Sequence, residues 1–178
     1  MHMGVTGIAD ELFQRLYPAG VKSPKRRIEL LRRLRRTVNR REGDILEALW
    51  LDLRKPRGEA YMSELFPALQ EIKLAIRRTE RWARVRKVSS SMLIPSSSAY
   101  VQPQPLGRVL IYAPWNYPFL LLLQPLINAL SAGNCALLSP SPSAPETARV
   151  VGEIVEEALG PAVAMVLKPG ELDPAEVL

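Results

Sequence analysis

The sequence predicts an α/β fold: an N-terminal helical segment, an extended arm or hairpin, then a parallel sheet built by successive helical crossovers. Three observations lead there. Between Pro105 and Pro140 the chain reads PLGRVLIYAPWNYPFLLLLQPLINALSAGNCALLSP: a strand-length apolar run, a turn, a helix-length apolar run and a second strand-length run. Strand, helix and strand at this spacing make a βαβ crossover, which implies a parallel sheet with helices on its faces. A further helix-length and strand-length pair follows at residues 146–159 and 163–167. Ahead of all this, as far as about residue 85, the apolar residues keep helical spacing.

The elements follow in order. Residues 8–17 read as a short helix with Ile8, Leu12 and Leu16 on one face, ended by Pro18-Ala19-Gly20. Ser23-Pro24 starts the next, with Ser as cap and Pro in the first turn. Its apolar face is Ile28, Leu31, Leu34 and Val38 with Leu30 beside them, and arginines fill the rest. Glu42-Gly43-Asp44 marks a break before a helix at residues 45–53, with Leu46, Leu49, Trp50 and Leu53 inward. Lys55-Pro56-Arg57-Gly58 reads as a turn. A long helix is expected over about residues 59–85, where Leu65, Leu69, Ile72 and Ile76 form a core stripe and Trp82 lies further along.

Residues 89–104 are Ser-rich and contain Pro95 and Pro103, with two extended candidates at residues 92–94 and 99–102. Composition alone fits a linker, a loop or a β-hairpin. Residues 108–112 (RVLIY) read as a buried strand opened by Gly107 and closed by Pro114, and Trp115-Asn116-Tyr117-Pro118 as a turn. Residues 119–132 form the crossover helix, stopped by Gly133-Asn134, and residues 135–138 the second strand. After a Pro/Ser loop, Pro145 opens a helix whose apolar face is Val150, Val151, Ile154, Val155 and Leu159, stopped by Gly160-Pro161. Residues 163–167 are the third strand, Lys168-Pro169-Gly170 a turn, and residues 174–178 the start of another helix. The chain thus divides into a helical segment (1–88), an arm (89–106) and an α/β part (107–178).

With 178 residues, 47% hydrophobic and 24% charged, the composition is that of a globular protein. One Cys excludes an internal disulfide and fits a reducing compartment, so a cytoplasmic location is expected. No secretory signal pattern opens the chain. The longest apolar run, residues 117–130, is interrupted by Gln124, Pro125 and Asn128 and falls short of the about 20 residues a membrane span needs. A single His at position 2 and a single Cys make no zinc site, and no metal is expected. The net charge of +6 comes mainly from residues 22–41, where Lys22, Lys25, Arg26, Arg27, Arg32, Arg33, Arg35, Arg36, Arg40 and Arg41 face Glu29 alone. Such a stripe suits nucleic acid, an anionic membrane surface or a solvated helix face. No aromatic residues are interleaved with it, which favours the solvated face.

Ligands of open parallel sheets bind beyond the carboxyl ends of the strands. Asn116 stands just past the first strand, where its amide can aim two N–H donors at a ligand oxygen. Read alone, it is better explained as a cap of the helix entering at Pro118. The segments PLGRVLIYAPWNYPF and QPLINALSAGNCALLSPS together resemble the aldehyde dehydrogenase superfamily, nearer its class three branch with the fatty aldehyde dehydrogenases. The likeness extends more loosely over nearly the whole chain.

The resemblance implies an incomplete aldehyde dehydrogenase fold whose sheet is the start of a Rossmann-like, NAD- or NADP-binding domain. It implies oxidation of an aldehyde to a carboxylic acid, with Asn116 as the catalytic residue whose amide helps form the oxyanion hole. Tyr112, Ala113, Pro114 and Trp115 would line the nicotinamide end of the cofactor cleft. Where the family has KPSE, this chain has Ser139-Pro140-Ser141-Pro142. Ser139 thus takes the place of a lysine and Pro142 that of a glutamate, both of which reach the adenosine ribose, and weakened dinucleotide affinity is expected. The arm at 89–106 would serve homo-oligomerisation, or pairing with a full-length relative.

The nucleophilic Cys and general-base Glu of the family lie downstream of the matched segments. Cys135 has no cationic or His neighbour in sequence and reads as a structural thiol. The expectation is the N-terminal part of a longer enzyme, inactive alone. Two other readings stand beside it: a non-catalytic truncated paralogue pairing with a full-length relative, and a basic-helix binder of nucleic acid or membrane surface.

Overall fold

The structure is a computed structural model that describes residue 21, residues 23–90 and residues 97–172. The elements expected at residues 8–17, 92–94 and 174–178 lie outside those residues. Helix α1 spans Pro24–Arg40, with Pro at its start, where a missing N–H costs nothing. Leu30, Leu31, Leu34 and Val38 are fully buried, as their spacing requires. The arginines do more than fill a solvated face. Arg27 is buried and donates from Nε to Val21 O at 2.7 Å and from Nη1 to Ser131 O at 3.2 Å. Arg40 and Arg41 reach the carboxylates of Glu157 and Glu153.

Helix α2 spans Glu42–Leu53. The expected break at Glu42–Asp44 falls instead at Arg41, because Glu42 and Asp44 form the first turn of α2, where negative charge suits the unpaired N–H groups. Trp50, expected inward, is 42% exposed, and Arg54 stacks over its ring at 5.6 Å. It follows buried Leu49 by one residue, and that step turns a side chain about 100° around the axis.

The long helix is composite. Helix α3 (Arg57–Ala60) passes through a π-helical turn (Tyr61–Leu65) into α4 (Phe66–Trp82). Pro67 accounts for the wide turn: it has no N–H to give, and its ring crowds the carbonyl four residues back. The expected turn at Lys55–Gly58 is shorter than foreseen, since Arg57 and Gly58 already belong to α3. Trp82 is 45% exposed, because the buried stripe of α4 (Ala68, Ile72, Ala75, Thr79) ends before it.

Strands β1 (Arg86–Val88) and β2 (Ala99–Val101) pair antiparallel, with Arg86 opposite Val101 and Val88 opposite Ala99. Of linker, loop and hairpin, the structure shows a hairpin, but its first strand is Arg86–Val88, which the sequence places in the helical segment rather than in the arm. The second sheet holds β3 (Arg108–Tyr112), β4 (Cys135–Ser139) and β5 (Ala164–Val166), parallel and in the order β3-β4-β5. Helix α5 (Pro118–Ala132) crosses from β3 to β4, and α6 (Pro145–Leu159) from β4 to β5. All five residues of β4 are buried. Strand β3, expected to be buried, pairs only with β4 among the described residues, and within it only Ile111 is buried.

Both crossovers run the same way along the sheet, so α5 and α6 lie side by side against it. Helices α1, α2 and α4 pack against α5 and α6 in turn. One hydrophobic core therefore runs from Val21 to Leu172, shared by the helical segment and the sheet.

Candidate functional site

The site lies where β3 and β4 end. Register pairs Tyr112 with Ser139, and the Ala113 N–H donates to Ser139 O at 3.1 Å. The two strand ends are thereby locked side by side. Tyr112 is 39% exposed, Ala113 is buried, and Pro114 is exposed. Trp115 is 56% exposed and Asn116 exposed. Ser139 is buried, only 3% accessible. The structure thus brings Tyr112, Ala113 and Ser139 into direct contact along the ladder. Trp115 and Asn116 stand in the loop leading to α5.

Asn116 does not cap α5. The residue before the helix is Tyr117, and it makes no side-chain cap. The cap comes from Glu64, in the π-helical turn. Its Oε2 accepts the N–H of Phe119 at 3.0 Å and of Leu120 at 3.2 Å. The side chain is wholly buried. Its Oε1 accepts from the Lys55 ammonium, which is also buried. Lys55 Nζ donates on to Asn116 O at 3.3 Å and sits 4.3 Å from the centre of the Tyr117 ring. The backbone from the Asn116 carbonyl to Leu120 is therefore tethered, while the Asn116 side-chain amide makes no hydrogen bond among the described residues. An amide so placed can donate to an oxygen arriving from solvent.

Sequence reasoning missed both Lys55 and Glu64. A signal existed for the glutamate. Ala60, Glu64, Ala68 and Ile72 recur every four residues, so a lone carboxylate stands on an otherwise small and apolar stripe, and all four are fully buried. Nothing local in the sequence marks Lys55 as buried.

Cys135 begins β4 and is buried. Burial pushes its thiol above the ordinary cysteine range, and Sγ donates weakly to Ala162 O at 3.8 Å. A neutral, enclosed thiol is a poor nucleophile. Among the described residues no three His, Cys, Asp or Glu gather as metal ligands, and no helix is long and apolar enough to cross a membrane.

Comparison with known proteins places this geometry. The aldehyde dehydrogenase family matches residues 11–175. Aldehyde dehydrogenase family 3 member A2 of Macaca fascicularis is 39% identical over 152 residues, 85% of this chain and 31% of that protein. The 4,4'-diaponeurosporen-aldehyde dehydrogenase of Staphylococcus aureus is 40% identical over 131 residues, 74% of this chain and 28% of that protein. The solved substrate-bound state of Staphylococcus aureus AldH superposes with a TM-score of 0.87 at 33% identity, over 96% of this chain and 37% of that one. A succinic semialdehyde dehydrogenase of Streptococcus pyogenes, solved with NADP+ as the cofactor, shares the fold at 20% identity with a TM-score of 0.82, over 99% of this chain and 38% of that one. The chain spans about a third of the length of the curated relatives it matches, and the matched part is their N-terminal portion. A partial aldehyde dehydrogenase fold, extending from the helical segment through the β3-β4-β5 sheet, makes this chain a member of the aldehyde dehydrogenase family.

Proposed function

We propose that this chain is the N-terminal part of an NAD(P)-dependent aldehyde dehydrogenase that oxidises an aldehyde to a carboxylic acid. One observation carries the reading: the Asn116 side-chain amide stands in the exposed loop past the carboxyl end of a parallel strand, without a hydrogen-bond partner among the described residues, while its backbone carbonyl is held by Lys55 and the helix start after it by Glu64. In the reaction, that amide donates a hydrogen bond to the aldehyde oxygen as negative charge develops on it. The residues Tyr112, Ala113, Pro114 and Trp115 hold the nicotinamide end of the dinucleotide through their backbone. The dinucleotide, when bound, supplies the hydride acceptor.

The adenosine end fits less well. Ser139 is nearly inaccessible, and Pro142 offers no side-chain acceptor, so neither ribose hydroxyls nor a 2′-phosphate meet a charged partner there. The single cysteine is enclosed, and these 178 residues therefore provide no thiolate nucleophile. The chain by itself is inactive. It works in the cytoplasm as a homo-oligomer, or paired with a full-length relative, through the arm at 89–106. Exposed Val88, Tyr100, Val101 and Leu106 on and beside the β1–β2 hairpin support that contact.

The test is a hybrid in which these residues replace the matching segment of the Staphylococcus aureus relative. The purified chain gives no aldehyde-dependent rise in NADH, while the hybrid turns over. Asn116→Ala lowers kcat of the hybrid by about 10²–10³-fold. Unchanged turnover in that variant would remove the oxyanion role. The hybrid also binds dinucleotide more weakly than its parent by fluorescence titration, and equal affinities would refute the reading of Ser139.

A further inference from the structure

The ion pair of Lys55 and Glu64 lies under the turn that carries Asn116, and the geometry points to both as positioning residues for that amide. The inference rests on the oxyanion reading of Asn116 and deepens it. Burying two opposite charges is costly, and a well-packed apolar pair would often stabilise a fold as much or more. Glu64 is 0% exposed and Lys55 8%. What the pair gains for that cost is geometry. Glu64 holds two N–H groups, of Phe119 and Leu120. Lys55 holds the Asn116 carbonyl and one face of the Tyr117 ring. Five successive positions are affected: Asn116, Tyr117, Phe119 and Leu120 are held, and Pro118 between them has a restricted φ of its own.

The electrostatics favour the same arrangement. A carboxylate at a helix N-terminus meets the unpaired N–H groups and the positive end of the helix dipole. Lys55 balances the remaining charge, and its second bond reaches back to the residue whose side chain faces solvent. The backbone that carries the Asn116 amide is therefore set before any ligand arrives, which spares the cost of ordering that backbone at the moment of reaction. Glu64 and Lys55 touch backbone and a ring, and act only through Asn116.

The test uses the 178-residue chain labelled with ¹⁵N, and reads the Asn116 side-chain NH₂ resonances together with amide exchange at Phe119 and Leu120. In Lys55→Met and Glu64→Gln the Asn116 resonances shift, and both amides exchange about tenfold faster or more, while core amides of α1 and β4 keep their protection. Lys55→Arg, which retains charge and donors, restores the wild-type Asn116 signals. Where Glu64→Gln fails to fold, the two Lys55 variants decide the matter. Unmoved Asn116 resonances in a folded Lys55→Met chain overturn the proposal. So does a loss of protection that rises equally at every core amide, which would make the pair merely structural. Asn116→Ala in the hybrid enzyme reads the other claim: intact turnover there, with shifted resonances here, removes the oxyanion role and leaves the positioning in place.

Discussion

Asp52 Oδ2 accepts the backbone N–H of Thr147 at 2.7 Å, bridging 95 residues of sequence. Its Oδ1 accepts the N–H of Glu146 at 3.1 Å. The carboxylate at the end of α2 thus caps α6, as Glu64 caps α5. Two carboxylates, twelve positions apart along the helical segment (64 − 52), each close the N-terminus of a different crossover helix. This is how the helical segment and the sheet are joined by more than apolar packing.

Removing that cap should be measurable. Asp52→Ala lowers stability by about 1–2 kcal/mol, while Asp52→Asn, which keeps one acceptor, loses less. Urea unfolding at unchanged slope reads both values. A change under a few tenths of a kcal/mol in Asp52→Ala would show that the helix end is satisfied by water instead.

Gly133 permits the close approach of Arg27. Its φ is 96°, and its N–H and that of Asn134 close the end of α5 onto Leu130 O and Ala129 O. A Cβ here would stand 2.4 Å from the Arg27 guanidinium. Gly133→Ala therefore costs about 1–2 kcal/mol for the left-handed backbone and about 1.5–3 kcal/mol more as Arg27 loses its bonds to Val21 O and Ser131 O. In an Arg27→Ala background only the backbone cost remains. Thermal melts of the four proteins give the coupling directly, and additive effects would contradict the steric account.

Acid should loosen the contact of α1 and α2 with α6. The hydrogen bond from Arg41, with that from Arg149, holds the Glu153 carboxyl below the ordinary glutamate range. The hydrogen bond from Arg40, with that from Thr37, does the same for Glu157. A folded-state value below the unfolded one means stability that is complete above about pH 4.3 and is lost as pH falls through the lower, folded value. These groups are substantially exposed, so each contributes little. Glu153→Gln flattens stability against pH below about pH 4.3, and the difference from wild type shrinks in about 0.5 M salt. An unchanged profile would mean that these arginines leave the carboxyls as water would.

Much of the fold was legible because its boundaries are written locally. Pro118 and Pro145 open their helices, and Gly133 and Gly160 close them, through φ values that belong to single residues. The alternation of strand-length and helix-length apolar runs then allows only a parallel arrangement. Asn116 was legible as a candidate for the same reason: its position after a strand is a matter of order along the chain.

The helical half is less legible in the sequence. Its neighbours along the chain put Trp50 inward, yet facing core or solvent depends on which helices cover α2. The arginine run looked like a solvated face, yet Arg27, Arg40 and Arg41 bind partners about a hundred residues or more away.

The sequence by itself determined the order of elements, the parallel sheet and the family, since each depends on residues adjacent in the chain. Only the tertiary structure decided that Ile111 alone of β3 is buried, that Glu64 rather than Asn116 caps α5, and that Lys55 is buried beneath the Asn116 turn. A helix end must find acceptors or donors wherever packing brings them, and here packing brings them from more than fifty residues away.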